Sequence, residues 1–116
     1  MPSRFFDVEI AGTGAYLPDQ IATNDDLLRD FPGFTMSAKQ LYKVLGAKER
    51  RIAPATMTCA EMMARAGQQA LDEADISSEQ VDLILACPVP PDAVTPPSAA
   101  VVQHLIGGSP DCTAFD

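Results

Sequence analysis

The stretch Val81-Asp82-Leu83-Ile84-Leu85-Ala86-Cys87, then a proline-rich turn, then Pro97-Ser98-Ala99-Ala100-Val101-Val102-Gln103-His104-Leu105-Ile106-Gly107, decides the fold. Leu83 to Cys87 is a short unbroken apolar run, the pattern of a strand buried on both faces. Pro88, Pro90, Pro91, Pro96 and Pro97 end it and hold the connection extended. Pro97 and Ser98 suit a first-turn proline and an early capping hydroxyl, so a helix starts there. Val101, Val102, Leu105 and Ile106 supply its apolar stripe, and Gly107 fits the left-handed position that ends a helix. A second strand begins at Cys112 and runs through Thr113-Ala114-Phe115-Asp116. Strand, helix, strand in this order predicts a parallel pair with a right-handed crossover.

Working outward, Thr58-Cys59-Ala60-Glu61 is a capping-box pattern, with a helix to about Ala74. Met62, Met63, Ala66, Ala70 and Leu71 give it one apolar face. The alanines and Gly67 keep that face small, so another element can approach closely. Ser77 to Gln80 reads as a capped turn before the strand. Thr23-Asn24-Asp25-Asp26 opens a short helix to about Asp30, with Thr23 as cap and acids where the helix dipole favours them. Phe31-Pro32-Gly33-Phe34 ends it. Ser37 caps a further helix to Leu45, whose apolar side is Leu41, Val44 and Leu45. Phe5 to Ala11 alternates as a strand, with Phe6, Val8 and Ile10 on one side. Gly12-Thr13-Gly14 lacks the third glycine and following helix of a dinucleotide site, so the glycines serve a bend or close packing. The whole is an α/β layered domain.

The chain of 116 residues is long enough for one domain with a modest core. A net charge of −8 and the absence of Trp argue against nucleic acid as a partner. No apolar run approaches the roughly 20 residues of a membrane span, and Asp7 and Glu9 interrupt any signal-peptide core. The expected location is cytoplasmic. Cys59, Cys87 and Cys112 show no metal-type spacing beside the single histidine, so they read as buried structural thiols and no metal site is expected. Lys39, Lys43, Lys48, Arg50 and Arg51 bring five of the eight basic residues together. They are a solvated face or an anion dock for a phosphorylated cofactor or an acidic carrier protein.

Several blocks resemble β-ketoacyl-acyl carrier protein synthase III, a condensing enzyme of the thiolase superfamily. They are Ile10-Ala11-Gly12-Thr13-Gly14-Ala15-Tyr16-Leu17-Pro18-Asp19 with Thr23-Asn24-Asp25-Asp26-Leu27, and Gly46-Ala47-Lys48-Glu49-Arg50-Arg51-Ile52-Ala53. Asp82 to Ala86, Pro91-Asp92, Pro97 to Ala100, Gln103 with Leu105-Ile106-Gly107, and Ala114-Phe115-Asp116 continue the series in order. The resemblance implies a thiolase-like fold, here the N-terminal part of the first of two βαβ-rich halves, so that residues 1–116 form an incomplete N-terminal domain. It implies a homodimer and no permanently bound cofactor. A cysteine thiolate takes an acyl group from a coenzyme A or phosphopantetheine thioester, and a Claisen condensation with a malonyl thioester, or another acyl transfer, follows. The partners implied are acyl-CoA or acyl carrier protein, and a complementary C-terminal chain is a further expectation.

The family's nucleophile follows the Ala-Phe-Asp strand, so the chain reads as ending before it, with no catalytic residue here and an inactive fragment expected. Cys59, Cys87 and Cys112 match no catalytic position. The family's Trp and Arg that sandwich adenine fall, by spacing, on Gln40 and Val44, neither of which stacks as they do. Met36, Gln40, Val44, Arg50 and Arg51 are the substrate-binding candidates. A carrier-borne donor or an altered donor site, and a role in secondary metabolism, become the expectation. Thr95, Pro96, Pro97, Ser98, Cys112, Ala114 and Phe115 are the candidate dimer-interface positions. The alternatives are a non-catalytic thiolase-fold partner subunit and a small anion-binding α/β module.

Overall fold

The computed structural model describes residues 8–116. Phe5, Phe6 and Asp7 of the first expected strand lie outside the described residues, and Val8 to Ala11 belong to no strand. The chain divides into two compact units.

One unit is Leu17–Met57. It contains β1 (Gln20–Thr23), α1 (Asn24–Asp30), α2 (Ala38–Leu45) and β2 (Glu49–Ile52). Both helices start on capping boxes. Thr23 exchanges bonds with Asp26, and Ser37 with Gln40, which satisfies first-turn amides that a helix cannot satisfy itself. Gly46 ends α2 at φ 70, a left-handed conformation that a side chain would strain. The two strands, which the sequence pattern did not reveal, pair antiparallel with Gln20 opposite Ile52 and Thr23 opposite Glu49. Gln-Ile-Ala-Thr and Glu-Arg-Arg-Ile are too short and too polar to show a clear alternation.

The other unit holds residues 8–16 and Thr58–Asp116. It contains α3 (Cys59–Ala74), a 3₁₀ turn at Ser78–Gln80, β3 (Leu83–Leu85), α4 (Ser98–Leu105) and β4 (Thr113–Phe115). As expected, β3 and β4 are parallel, with Leu83 opposite Thr113 and Leu85 opposite Phe115. The core lies where α3 meets α4. Ala60, Ala64 and Val102 are buried there, with Met63, Ile84, Val101 and Ile106 packed around them. Small residues let the helix axes approach, so Ala60 and Ala64 bury more completely than the Met62-Met63 side of the helix.

Three expectations need correction. The strand is not covered on both faces among the described residues: Ile84 is half-buried, while Leu83 and Leu85 are 49% and 64% exposed. Cys112 precedes β4 rather than opening it. Ser98 does not cap α4: Pro97 is the N-cap position and makes no side-chain bond, and the first amides go elsewhere. Gly107 does take the left-handed conformation, at φ 68.

Gly12 and Gly14 pack against α3, as close packing requires. A Cβ on Gly14 would meet the Ala66 carbonyl oxygen, and one on Gly12 would meet that of Ala70. The backbone between them is laced to the helix by side chains. Thr13 donates from its amide and hydroxyl to one oxygen of Glu73 at 2.6 and 2.9 Å, and the Ala15 amide donates to Gln69 Oε1 at 2.9 Å. Arg65 lies over the Tyr16 ring at 4.8 Å and bonds its hydroxyl.

Candidate functional site

The expected substrate-binding residues fall in the Leu17–Met57 unit, and their side chains have separate tasks. Asn24, 5% exposed, is the hub. Its amide nitrogen donates to Lys48 O at 3.2 Å, its Nδ2 donates to Ala47 O at 2.9 Å, and its Oδ1 accepts from Arg50 Nη2 at 2.9 Å. Arg50 is therefore tied to the start of α1. Its Nη1 is buried with no partner among the described residues. Arg51 Nη1 donates to the carbonyls of Pro18 and Asp19 at 3.2 and 3.4 Å. Lys48 stands 5.8 Å from the Tyr42 ring centre, while Lys39 and Lys43 are exposed on α2. The cationic cluster is thus divided. Its two arginines, on β2, hold the start of α1 and the segment before β1, and its lysines face solvent.

Gln40 spends its amide oxygen on the cap, accepting from Ser37 N and Oγ at 2.8 and 2.9 Å. Met36 and Val44 meet in another environment. They line an apolar groove of about 490 Å³ between α1 and α2, with Leu27, Leu28, Phe31 and Leu41 among its walls. No donor or acceptor in that lining would orient a polar ligand.

The expected interface positions lie in the other unit. Thr95, Pro96 and Pro97 are exposed on the connection between β3 and α4, and Phe115 is 48% exposed on β4. Ser98 and Cys112 are enclosed by their own unit, at 3% and 7% exposed, and Ala114 is half-buried. Two carboxylates that belong to the matching sequence blocks, but without a role assigned to them there, organise this region. The Cys59 and Ala60 amides donate to the two oxygens of Asp92 at 2.7 and 2.8 Å. The Ser98 and Ala99 amides donate to those of Asp116 at 2.8 and 2.7 Å. The Ala99 amide, with Ser98's, holds the Asp116 carboxyl below its ordinary range. Their signal in sequence is slight, because both partners lie far away along the chain. Among the described residues no three His, Cys, Asp or Glu side chains form a metal-binding group, and no helix is long and apolar enough to cross a membrane.

No protein-family profile matches the chain. The β-ketoacyl-[acyl-carrier-protein] synthase III of Methylococcus capsulatus is 39% identical over 107 residues, which are 92% of this chain and 32% of that protein. A crystal structure of 3-oxoacyl-[acyl-carrier-protein] synthase III from Aquifex aeolicus superposes with a TM-score of 0.79 at 36% identity, over 93% of this chain and 33% of that one. The chain is β-ketoacyl-acyl carrier protein synthase III-like. It spans about a third of the length of the curated relatives it matches. A priming β-ketosynthase from the R1128 polyketide pathway shares the fold at 23% identity and a TM-score of 0.74. The fold of this synthase III-like chain is accordingly thiolase-like α/β.

Proposed function

We propose that the protein carrying this chain is a condensing acyltransferase. It moves an acyl group from a coenzyme A or carrier-protein thioester to a cysteine and then to an acceptor, in fatty acid or polyketide biosynthesis. The observation that carries this reading is the 39% identity spread over 107 residues. Chemically, a thiolate attacks the thioester carbonyl, and oriented donors stabilise the resulting oxyanion. Cys59, Cys87 and Cys112 are read as non-catalytic, although the expected burial holds at Cys112 only: Cys59 is half-buried and Cys87 exposed. The enzyme is further proposed to be a cytoplasmic homodimer, with Thr95, Pro96, Pro97 and Phe115 facing the partner copy.

The donor is proposed to arrive on a carrier protein, in a specialised, secondary-metabolic relative. Gln40 is committed to a helix cap and Val44 belongs to an apolar groove, so neither offers a stacking surface or a cation to adenine. Lys39 and Lys43, both exposed, suit an acidic carrier.

The test is intact mass and peptide mapping of the protein purified from its source, after incubation with acyl-CoA and separately with acyl carrier protein. The expected result is one thioester-linked acyl group on a cysteine other than Cys59, Cys87 and Cys112, formed faster from the carrier-borne donor. An acyl group on one of those three overturns their non-catalytic assignment. No acyl-enzyme from either donor overturns the acyltransferase reading.

A further inference from the structure

The first turn of a helix leaves backbone amides without intrahelical partners. In α3 the Thr58 hydroxyl accepts from the Glu61 amide at 3.1 Å, and the two amides before it go to Asp92. In α4 the N-cap is Pro97, which has no side-chain acceptor, and the two first amides go to Asp116. Each carboxylate binds a pair of adjacent amides with one oxygen apiece. Negative charge is favoured at both places by the helix dipole.

The placement of the two aspartates matters more than the caps themselves. The connection between β3 and α4, residues 86–97, contains Asp92 near its middle and passes directly into the turn that Asp116 holds. Packing does little to fix this connection. Val89 and Val94 are 92% and 97% exposed, so burial of their side chains does not anchor it. Pro88, Pro90, Pro91, Pro96 and Pro97 restrict φ locally, but they cannot specify where the segment lies. Ala86 is buried at one end and Ser98 at the other. Between them, among the described residues, the anchor is the bidentate contact of Asp92 with α3.

We propose that Asp92 and Asp116 are positioning residues, a two-point carboxylate clamp that sets the course of the connection 86–97. Asp92 fixes its middle to α3, and Asp116 fixes its exit into α4. The proposal rests on the function above in one respect: the clamped segment carries Thr95, Pro96 and Pro97, which that function places against a partner copy.

The experiment is ¹⁵N relaxation on the full protein carrying this chain and on its Asp92→Asn and Asp116→Asn variants, reading backbone order parameters at Val89, Ala93, Val94 and Thr95. Asn keeps the size of the side chain but loses the charge and replaces one acceptor by a donor facing an amide. Rigid values near about 0.85 are expected in the parent chain, falling below about 0.6 in each variant, with the interior of α3 and α4 unchanged. A cap that merely stabilises its helix would alter only the first turns. Unchanged values through the connection in both variants, or values already below about 0.6 in the parent, overturn the clamp. Asp92 and Asp116 are both exposed, and either variant alone keeps the test alive where the other does not fold. The homodimer dissociation constant is measured alongside. A loosened connection with tenfold weaker association supports both readings. A loosened connection with unchanged association supports the clamp and overturns the interface assignment.

Discussion

At the scale of single residues, buried polar groups carry the specificity. Asn24 makes three hydrogen bonds from a nearly inaccessible position. Replacing it by Ala strands the Ala47 carbonyl and removes the partner that the Arg50 guanidinium has among the described residues. An unsatisfied buried group costs about 1–3 kcal/mol, so Asn24→Ala is expected to lose about 3 kcal/mol, read from urea unfolding. A loss under about 1 kcal/mol would mean that water replaces the side chain. Gly14 makes the opposite kind of demand, for absence of atoms. A Cβ there would also lie 2.7 Å from the Ala70 amide nitrogen, and that obstacle is backbone. Gly14→Ala is expected to cost about 1–3 kcal/mol as an overpacking change, whereas Ala at Gly67, which has open space around it, should cost nothing measurable. The need for glycine at positions 12 and 14 was legible as a choice between phosphate cradle and close packing. The role of Asn24 was not, since the Thr-Asn-Asp-Asp pattern explains a helix start without requiring the second residue to be buried.

At the scale of elements, the ends of the helices are acid-sensitive. Asp26 is held below its ordinary value of 3.8 chiefly by the Thr23 hydroxyl, and Glu61 below 4.5 chiefly by the Thr58 amide. Glu73 is lowered by the Thr13 amide and hydroxyl, and Asp116 by the Ala99 and Ser98 amides. Each carboxylate is more acidic folded than unfolded, so the unfolded chain binds more protons as acid is added. Their stabilisation is complete above the ordinary values and is lost as pH falls through the lowered ones. The melting temperature should therefore be flat from pH 7 to about pH 5 and fall below about pH 4.5. Glu73→Gln should flatten part of that decline, and a melting temperature that rises on acidification would contradict the sign. The α3–α4 contact is steric instead. Ala64→Leu should cost about 1–3 kcal/mol through overpacking against Val102, independent of pH.

At the scale of the whole molecule, two units of different electrostatic character share one chain. Leu17–Met57 carries six cations against five carboxylates, so the strong negative charge resides in the other unit. Each unit has its own contacts, and damage should stay local. Asn24→Ala should raise amide hydrogen exchange within Leu17–Met57, and Gly14→Ala within α3 and its neighbours. Uniform acceleration across the chain in both variants would mean one cooperative body. The sequence by itself determined the four helices and the caps of α1, α2 and α3, because each depends on residues within a few positions of one another, and the strand–helix–strand order indicated the parallel pair. It also determined the family, because ordered blocks survive along most of the chain. Only the tertiary structure decided the antiparallel β1–β2 pair, whose strands are short, polar and separated by two helices. The separation of the arginines from the lysines, the apolar groove beside Met36 and Val44, and the clamps of Asp92 and Asp116 were likewise decided there. A carboxylate that caps a helix from 17 to 33 residues away leaves no local pattern, since the amides it serves become its neighbours only when the chain folds.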